Sequence, residues 1–173
     1  MKNIPLWFIG LNIIGQLESE ESEMRKIYLA SPFFNEDEQR VYNNAIDILR
    51  GQGYEVFVPQ EHTIPNAWDL PNKVWAENVF AVDYLAIQKC DVVVVLNWGM
   101  YSDSGTAWEC GCAYAMGKHI VNILCGDDPT NGMEYSLMML NGCNSYITFD
   151  QLEKRWFREI LEGCVTTPAI EQK

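Results

Sequence analysis

Two carboxylates, Asp103 and Glu109, lie in the stretch Tyr101-Ser-Asp-Ser-Gly-Thr-Ala-Trp-Glu-Cys-Gly111, which follows an apolar, β-branched run at 91–96. A parallel sheet delivers chain to a ligand where a buried strand gives way to the next helix, so acids at that junction are candidates for chemistry. Glu109 falls in the first turn or two of the expected helix. The positive end of the helix dipole there favours the ionised form, which suits a nucleophile better than an acid. A plainer reading competes: Thr106-Ala-Trp-Glu109 fits a capping box, a common stabiliser of helix starts, and on the motif alone the cap ranks ahead of catalysis. Asp103 is equally well read as a turn residue, since Asp-Ser-Gly is a common loop sequence.

Asp83 is harder to explain structurally, because a carboxylate amid an apolar helix face is costly unless it is paired or placed in a site. Tyr28 faces one side of a first strand, where a core tyrosine with a satisfied hydroxyl is the ordinary reading. His62 and His119 have no partner in the local sequence, so solvent or a local hydrogen bond is expected for each. Trp68, Trp75, Trp98 and Trp108 read mainly as core, with one or two free to stack on a planar base. The methionines 133, 138 and 139 read as packing.

Other chemistries find less support. The run 111–118 resembles a phosphate loop only superficially, being one residue too long, and His119 stands where the magnesium-binding Ser or Thr belongs. No G-x-G-x-x-G follows the first strand, so a kinase, NTPase or dehydrogenase is disfavoured, and no cofactor is expected. Cys110 and Cys112 would point about 200° apart on a helix. With no His pair near them, a metal site is not expected.

Composition narrows the partners. The 173 residues are 48% apolar and 21% charged, as in a globular protein able to bury its own core. A formal charge of −12, from 24 acidic against 12 basic residues, argues against a nucleic-acid polymer and for a neutral or cationic small molecule. The six cysteines lie mostly in or beside apolar runs, which suits buried free thiols in a reducing cytoplasm. The apolar run at 4–14 is too short to span a bilayer, and Pro5, Gly10 and Asn12 interrupt it, so no membrane association is expected. Residues 1–23 are read as an N-terminal extension, with Met24 an alternative start, and 24–173 as a single domain.

The elements that must position these side chains alternate regularly. Lys26-Ile-Tyr-Leu-Ala30 reads as a first strand closed by Pro32, and Asn35 caps a helix stopped by Gly51 and Gly53. A strand at 54–58 completes a unit long enough for a right-handed crossover. After a long loop at 60–72, a helix at 73–89 carries Val74, Val79, Val82, Leu85 and Ala86 on its apolar side. The strand at 91–96, a helix at 105–116 ended by Gly117, and a strand at 120–124 follow. A polar loop at 126–132, a short helix at 134–140, a strand at 145–149 and a helix capped by Asp150 running to Leu161 finish the pattern. Five alternations imply an α/β fold with a doubly wound, flavodoxin- or Rossmann-like, five-stranded parallel sheet sandwiched by helices.

Three segments taken together carry a resemblance. Lys26-Ile-Tyr-Leu-Ala-Ser-Pro-Phe-Phe34, Lys73-Val-Trp-Ala76 leading to Asp83, and Asp103-Ser-Gly-Thr-Ala-Trp-Glu-Cys-Gly111 resemble, in order, the motifs of the nucleoside 2-deoxyribosyltransferase family. The resemblance implies that Glu109 attacks C1′ of a 2′-deoxynucleoside and becomes a covalent deoxyribosyl ester, oriented by a hydrogen bond from Tyr28. It implies that Asp103 holds the sugar hydroxyls and that Asp83 contacts the nucleobase and shuttles its proton. Phe33, Ser136 and Met138 fall among the implied substrate-binding positions. Such an enzyme exchanges free purine or pyrimidine bases on 2-deoxyribose by retaining double displacement, needs no metal, and works in nucleoside salvage as a homo-oligomer with shared sites. Two departures stand out: Ser136-Leu-Met138 replaces the usual Asn-Leu-Met, and the chain ends in Ala-Ile-Glu-Gln-Lys173 rather than in an aromatic residue. The alternatives are a 2′-deoxynucleoside 5′-monophosphate N-glycosidase, whose phosphate a carboxylate at Asp103 would repel, and a non-catalytic nucleotide-binding module in which Glu109 is only a cap.

Overall fold

The computed structural model describes residues 25–126 and 135–168. The extension at 1–23, nearly all of the polar loop at 126–132, Met133, Glu134 and residues 169–173 lie outside them. Five strands, β1 (Lys26–Ala30), β2 (Glu55–Phe57), β3 (Val92–Asn97), β4 (His119–Leu124) and β5 (Ser145–Thr148), pair in the order β2-β1-β3-β4-β5. Every pairing is parallel. The helices are α1 (Glu36–Gly51), α2 (Asn72–Lys89), α3 (Ser104–Ala115), α4 (Leu137–Asn141), α5 (Phe149–Lys154) and α6 (Phe157–Leu161).

Strand composition sets strand position. All six residues of β3 are buried, which four consecutive valines tolerate only in a strand covered on both faces. Alternate residues of β1 and β3 go to opposite cores. Ile27, Leu29, Val92 and Val94 pack with Tyr42 and Leu49 of α1, Leu152 of α5 and Phe157 of α6. Tyr28, Ala30, Val93 and Val95 pack with Ile87 of α2, Cys110 and Ala113 of α3, and Met139 of α4. The sheet is thus the doubly wound, helix-covered one that the alternation implied.

Local signals explain most helix ends. The Asn35 side chain accepts from the Glu38 N–H at 2.9 Å, while the Glu38 carboxylate reaches back to the Phe34 N–H at 2.7 Å. Gly117 ends α3 at φ 67°, a left-handed conformation that glycine adopts without penalty. The last helix departs from expectation. Its cap is Thr148, paired with Gln151 in a capping box, and Asp150 instead bridges to Lys154 across one turn. It is also two helices, because the chain turns at Arg155 and Trp156. There Gln52 donates from Nε2 to the Arg155 carbonyl at 3.2 Å and accepts from the Phe157 N–H at 2.6 Å.

The second departure is larger. Of the apolar side read for α2, Val79, Val82 and Ala86 are half-buried while Val74 and Leu85 are exposed; Ile87 is the helix's one buried residue, and Trp75 and Phe80 are exposed as well. An apolar stripe records the need for cover, not its source. Trp68, Trp75 and Trp108 are exposed rather than core, and Trp98 is half-buried. Cys164 is exposed as well, whereas Cys90, Cys110 and Cys125 are buried.

Candidate active site

The acids meet where β1 and β3 lie side by side. In this strand order the chain winds outward from that pair in both directions, leaving a crevice at its carboxyl end. Tyr28 on β1 is fully buried, and its hydroxyl donates to Glu109 Oε1 on α3 at 2.5 Å, a contact spanning 81 residues of sequence. The tyrosine ring is fixed from behind: it stacks on Phe57 of β2 with ring centres 5.4 Å apart, and Phe57 stacks on His62 at 4.0 Å and 3°.

Glu109 is not a cap. The start of α3 is capped by Asp103, whose Oδ2 accepts from the Thr106 N–H at 3.0 Å, so the Thr106 to Glu109 capping box is absent and Glu109 belongs to the second turn. Gly105 makes this geometry possible, since a Cβ there would lie 2.9 Å from Asp103 Oδ2. Asp-Ser-Gly therefore folds a carboxylate back onto a helix start. Glu109 Oε2 and Asp103 Oδ1 make no hydrogen bond among the described residues and remain available to a ligand.

Burial opposes the dipole at Glu109. Desolvation pushes Glu109 up to about 7, and the Tyr28 hydrogen bond opposes that rise. The neighbouring charges of Asp83 and Asp103 add to it. The dipole at the helix start favours the ionised form, and burial works against that preference. Asp83 on α2 is half-buried and also raised, by desolvation, with His62 pulling the other way. Burial and the charge of Glu109 hold the Tyr28 hydroxyl protonated, so it acts as a donor.

Tyr28, Asp83, Asp103 and Glu109 therefore form one electrostatic group. Phe33 follows the end of β1, half-buried, with its ring against Tyr42 at 5.7 Å. Ser136 and Met138 are not with the acids. They line a groove of about 390 Å³ between α3 and α4, with Ala107, Cys110 and Tyr114, on the side of α3 turned away from Glu109. Met138 is 76% exposed there.

Three features escaped the sequence. His62 was expected to meet solvent or a local bond, but it ends a ring stack reaching Tyr28. Phe80, three residues before Asp83, packs on Tyr84 at 5.9 Å and on Trp108 at 5.2 Å, making an aromatic wall beside the two acids. Beneath the crevice, the Asn97 amide meets Asn122 Oδ1 at 3.5 Å, and Asn122 donates to the Met139 carbonyl at 3.0 Å. Only the asparagines carried a signal, as lone polar residues in apolar strands. Among the described residues no three His, Cys, Asp or Glu side chains gather in a group that could hold a metal.

A family model, nucleoside 2-deoxyribosyltransferase, matches residues 27–141, which include all but the first residue of β1, the Asp83 helix and the Asp103 to Glu109 turn. The chain belongs to this family. A 2-deoxyribosyltransferase of the psychrotolerant bacterium Bacillus psychrosaccharolyticus is 32% identical, with a TM-score of 0.68 over 84% of this chain and 99% of that one. A 2-deoxyribosyltransferase of Leishmania mexicana (22% identity, TM-score 0.53, 82% and 99% of the two chains) shares the fold. So does a CMP N-glycosidase of Clostridium botulinum (22%, TM-score 0.51, 80% and 99%). No curated protein matches.

Because burial raises Glu109, the fold prefers its protonated form, and stability falls as pH climbs from the usual carboxylate range through about 7. Glu109→Gln removes that loss. The variant's melting temperature relative to wild type is expected to be higher at pH 8 than at pH 5, by calorimetry; a difference independent of pH would contradict the buried, raised carboxyl.

Proposed function

We propose that the chain transfers 2-deoxyribose between nucleobases, with Glu109 as nucleophile. The carrying observation is that Glu109, freed from any capping role, is held in a half-buried crevice by one donor, leaving its second oxygen uncommitted. In the first displacement a Glu109 oxygen bonds to C1′ as the C1′–N bond breaks, and the departing nitrogen takes the electron pair and a proton from Asp83. In the second, a nitrogen of the incoming base bonds to C1′, the ester bond to Glu109 breaks, and the acceptor's proton returns to Asp83. The cycle starts with Asp83 protonated and Glu109 ionised. Desolvation of Asp83 favours the first condition; the Tyr28 hydrogen bond favours the second and must work against the burial that raises Glu109 to about 7. Asp103 Oδ1 accepts from the sugar hydroxyls while Oδ2 keeps the helix capped. Phe33 lines the substrate's path, and the Phe80 and Trp108 rings suit a stacked base.

We assign the protein to nucleoside salvage in the cytoplasm, a setting that suits its free thiols. The described residues contain no helix long and apolar enough to cross a membrane. We read residues 24–173 as one domain and its working form as a homo-oligomer. Trp75, Tyr114, Leu137 and Met138 leave the α2, α3 and α4 side rich in exposed apolar surface, which self-association would cover. In that assembly Ser136 and Met138, remote from their own Glu109, serve the site of a neighbouring copy.

Incubation with thymidine and free adenine, followed by chromatography, is expected to yield deoxyadenosine. Free thymine without deoxyadenosine would replace transfer by hydrolysis, and silence would leave only a binding module. Glu109→Ala should cost roughly 10³-fold or more, and a variant keeping a tenth of the activity would end the nucleophile assignment. Light scattering is expected to find an oligomer that Leu137→Asp converts to monomers with loss of transfer. A monomeric, active wild type would refute the shared site.

A further inference from the structure

The opposite pole of the sheet carries chemistry of the other sign. Arg25 precedes β1 and Tyr54 precedes β2, so both stand at the amino ends of strands, away from the crevice at Glu109. With Gln52, Trp156, Arg158 and Glu162 they line a cleft of about 500 Å³. That is within the range of small-ligand sites, about 300–1,000 Å³.

The cleft is built from groups that the fold holds in place. The two Gln52 hydrogen bonds pin the Arg155 to Phe157 linker against the end of α1, across 103 and 105 residues of sequence. Tyr54 is braced edge-on against Phe157 with ring centres 5.4 Å apart. On this fixed linker Trp156 stands 63% exposed, although a large aromatic side chain gains most from burial. Arg25 has no ion pair among the described residues. Arg158 pairs with Glu162 at 3.8 Å between exposed groups, and its guanidinium makes no hydrogen bond among the described residues. Burial raises the Tyr54 pKa, both guanidinium groups pull it down and the Glu162 carboxylate adds to the rise, so two cations and one anion converge on one place.

Two guanidinium groups beside an exposed indole, in a chain of net charge −12, form a local exception to the protein's charge. Guanidinium binds phosphate oxygens through paired hydrogen bonds, and an indole face accepts a planar ring. We propose that this cleft is a second binding site, separate from the crevice at Glu109, for an aromatic anion of mononucleotide size, its ring on Trp156 and its phosphate between Arg25 and Arg158. The site is independent of the transfer reaction proposed above, since it shares no residue with it.

Calorimetric titration of the full chain with AMP, with adenosine and inorganic phosphate as partial ligands, tests this. AMP is expected to bind more tightly than either part. Arg25→Ala and Arg158→Ala should each raise its Kd at least ten-fold, and Trp156→Ala should weaken AMP but not phosphate. Glu109→Ala should leave AMP affinity unchanged. All three cleft residues are at the surface, so circular dichroism should find the variants folded. No AMP binding at millimolar concentration, affinity insensitive to the two arginines, affinity lost in Glu109→Ala, or phosphate binding as tightly as AMP would each overturn the proposal.

Discussion

The hydrogen bond from Tyr28 to Glu109 is the constraint on which the arrangement depends. A half-buried carboxylate is costly, and here a single short O–H donor, itself unable to ionise, offsets part of that cost while fixing where the acid points. The bond exists only because β1 and β3 are neighbours, with Tyr28 opposite Val93, so that α3 crosses the sheet above the tyrosine. Asp103 serves as the cap, which leaves Glu109 in the second turn without a capping role. Strand order, strand register and helix cap all converge on one oxygen.

The elements were legible because their signals are local. Asn35 three residues before an acid, four valines in a row and a glycine after α3 each act through their own neighbours, and each element formed where expected. Caps were misread where two residues competed for one role. Thr106 and Asp103 both offer oxygens, as do Thr148 and Asp150, and which one caps depends on where the incoming chain enters the helix. The burial that opposes the dipole at Glu109 was not legible for a different reason. A dipole can be inferred from a helix start, but burial depends on tertiary packing around Glu109, where even its hydrogen-bond partner Tyr28 lies 81 residues away in sequence. His62 was missed because a ring stack across a loop leaves no spacing to read.

The two sides of the sheet differ in a way that composition cannot express. On one, α1, α5 and α6 close a core around Tyr42 and Phe157. On the other, α2, α3 and α4 complete the core with their inner residues and turn large apolar side chains, aromatic on α2 and α3, outward. The acids at the carboxyl pole lie at the margin of that uncovered side, whereas the arginines at the amino pole lie beside α6 on the covered one. A single net charge of −12 therefore conceals an acidic end and a basic cleft.

The central claim is that Glu109 forms the covalent bond. Its most direct test is to supply a 2′-deoxynucleoside without an acceptor base, quench in acid, digest and locate any added sugar by mass spectrometry. A deoxyribosyl group on the peptide containing Glu109, discharged when free base is added before the quench, is the expected result. A sugar attached elsewhere, or turnover of the nucleoside by Glu109→Ala at the wild-type rate, would contradict it.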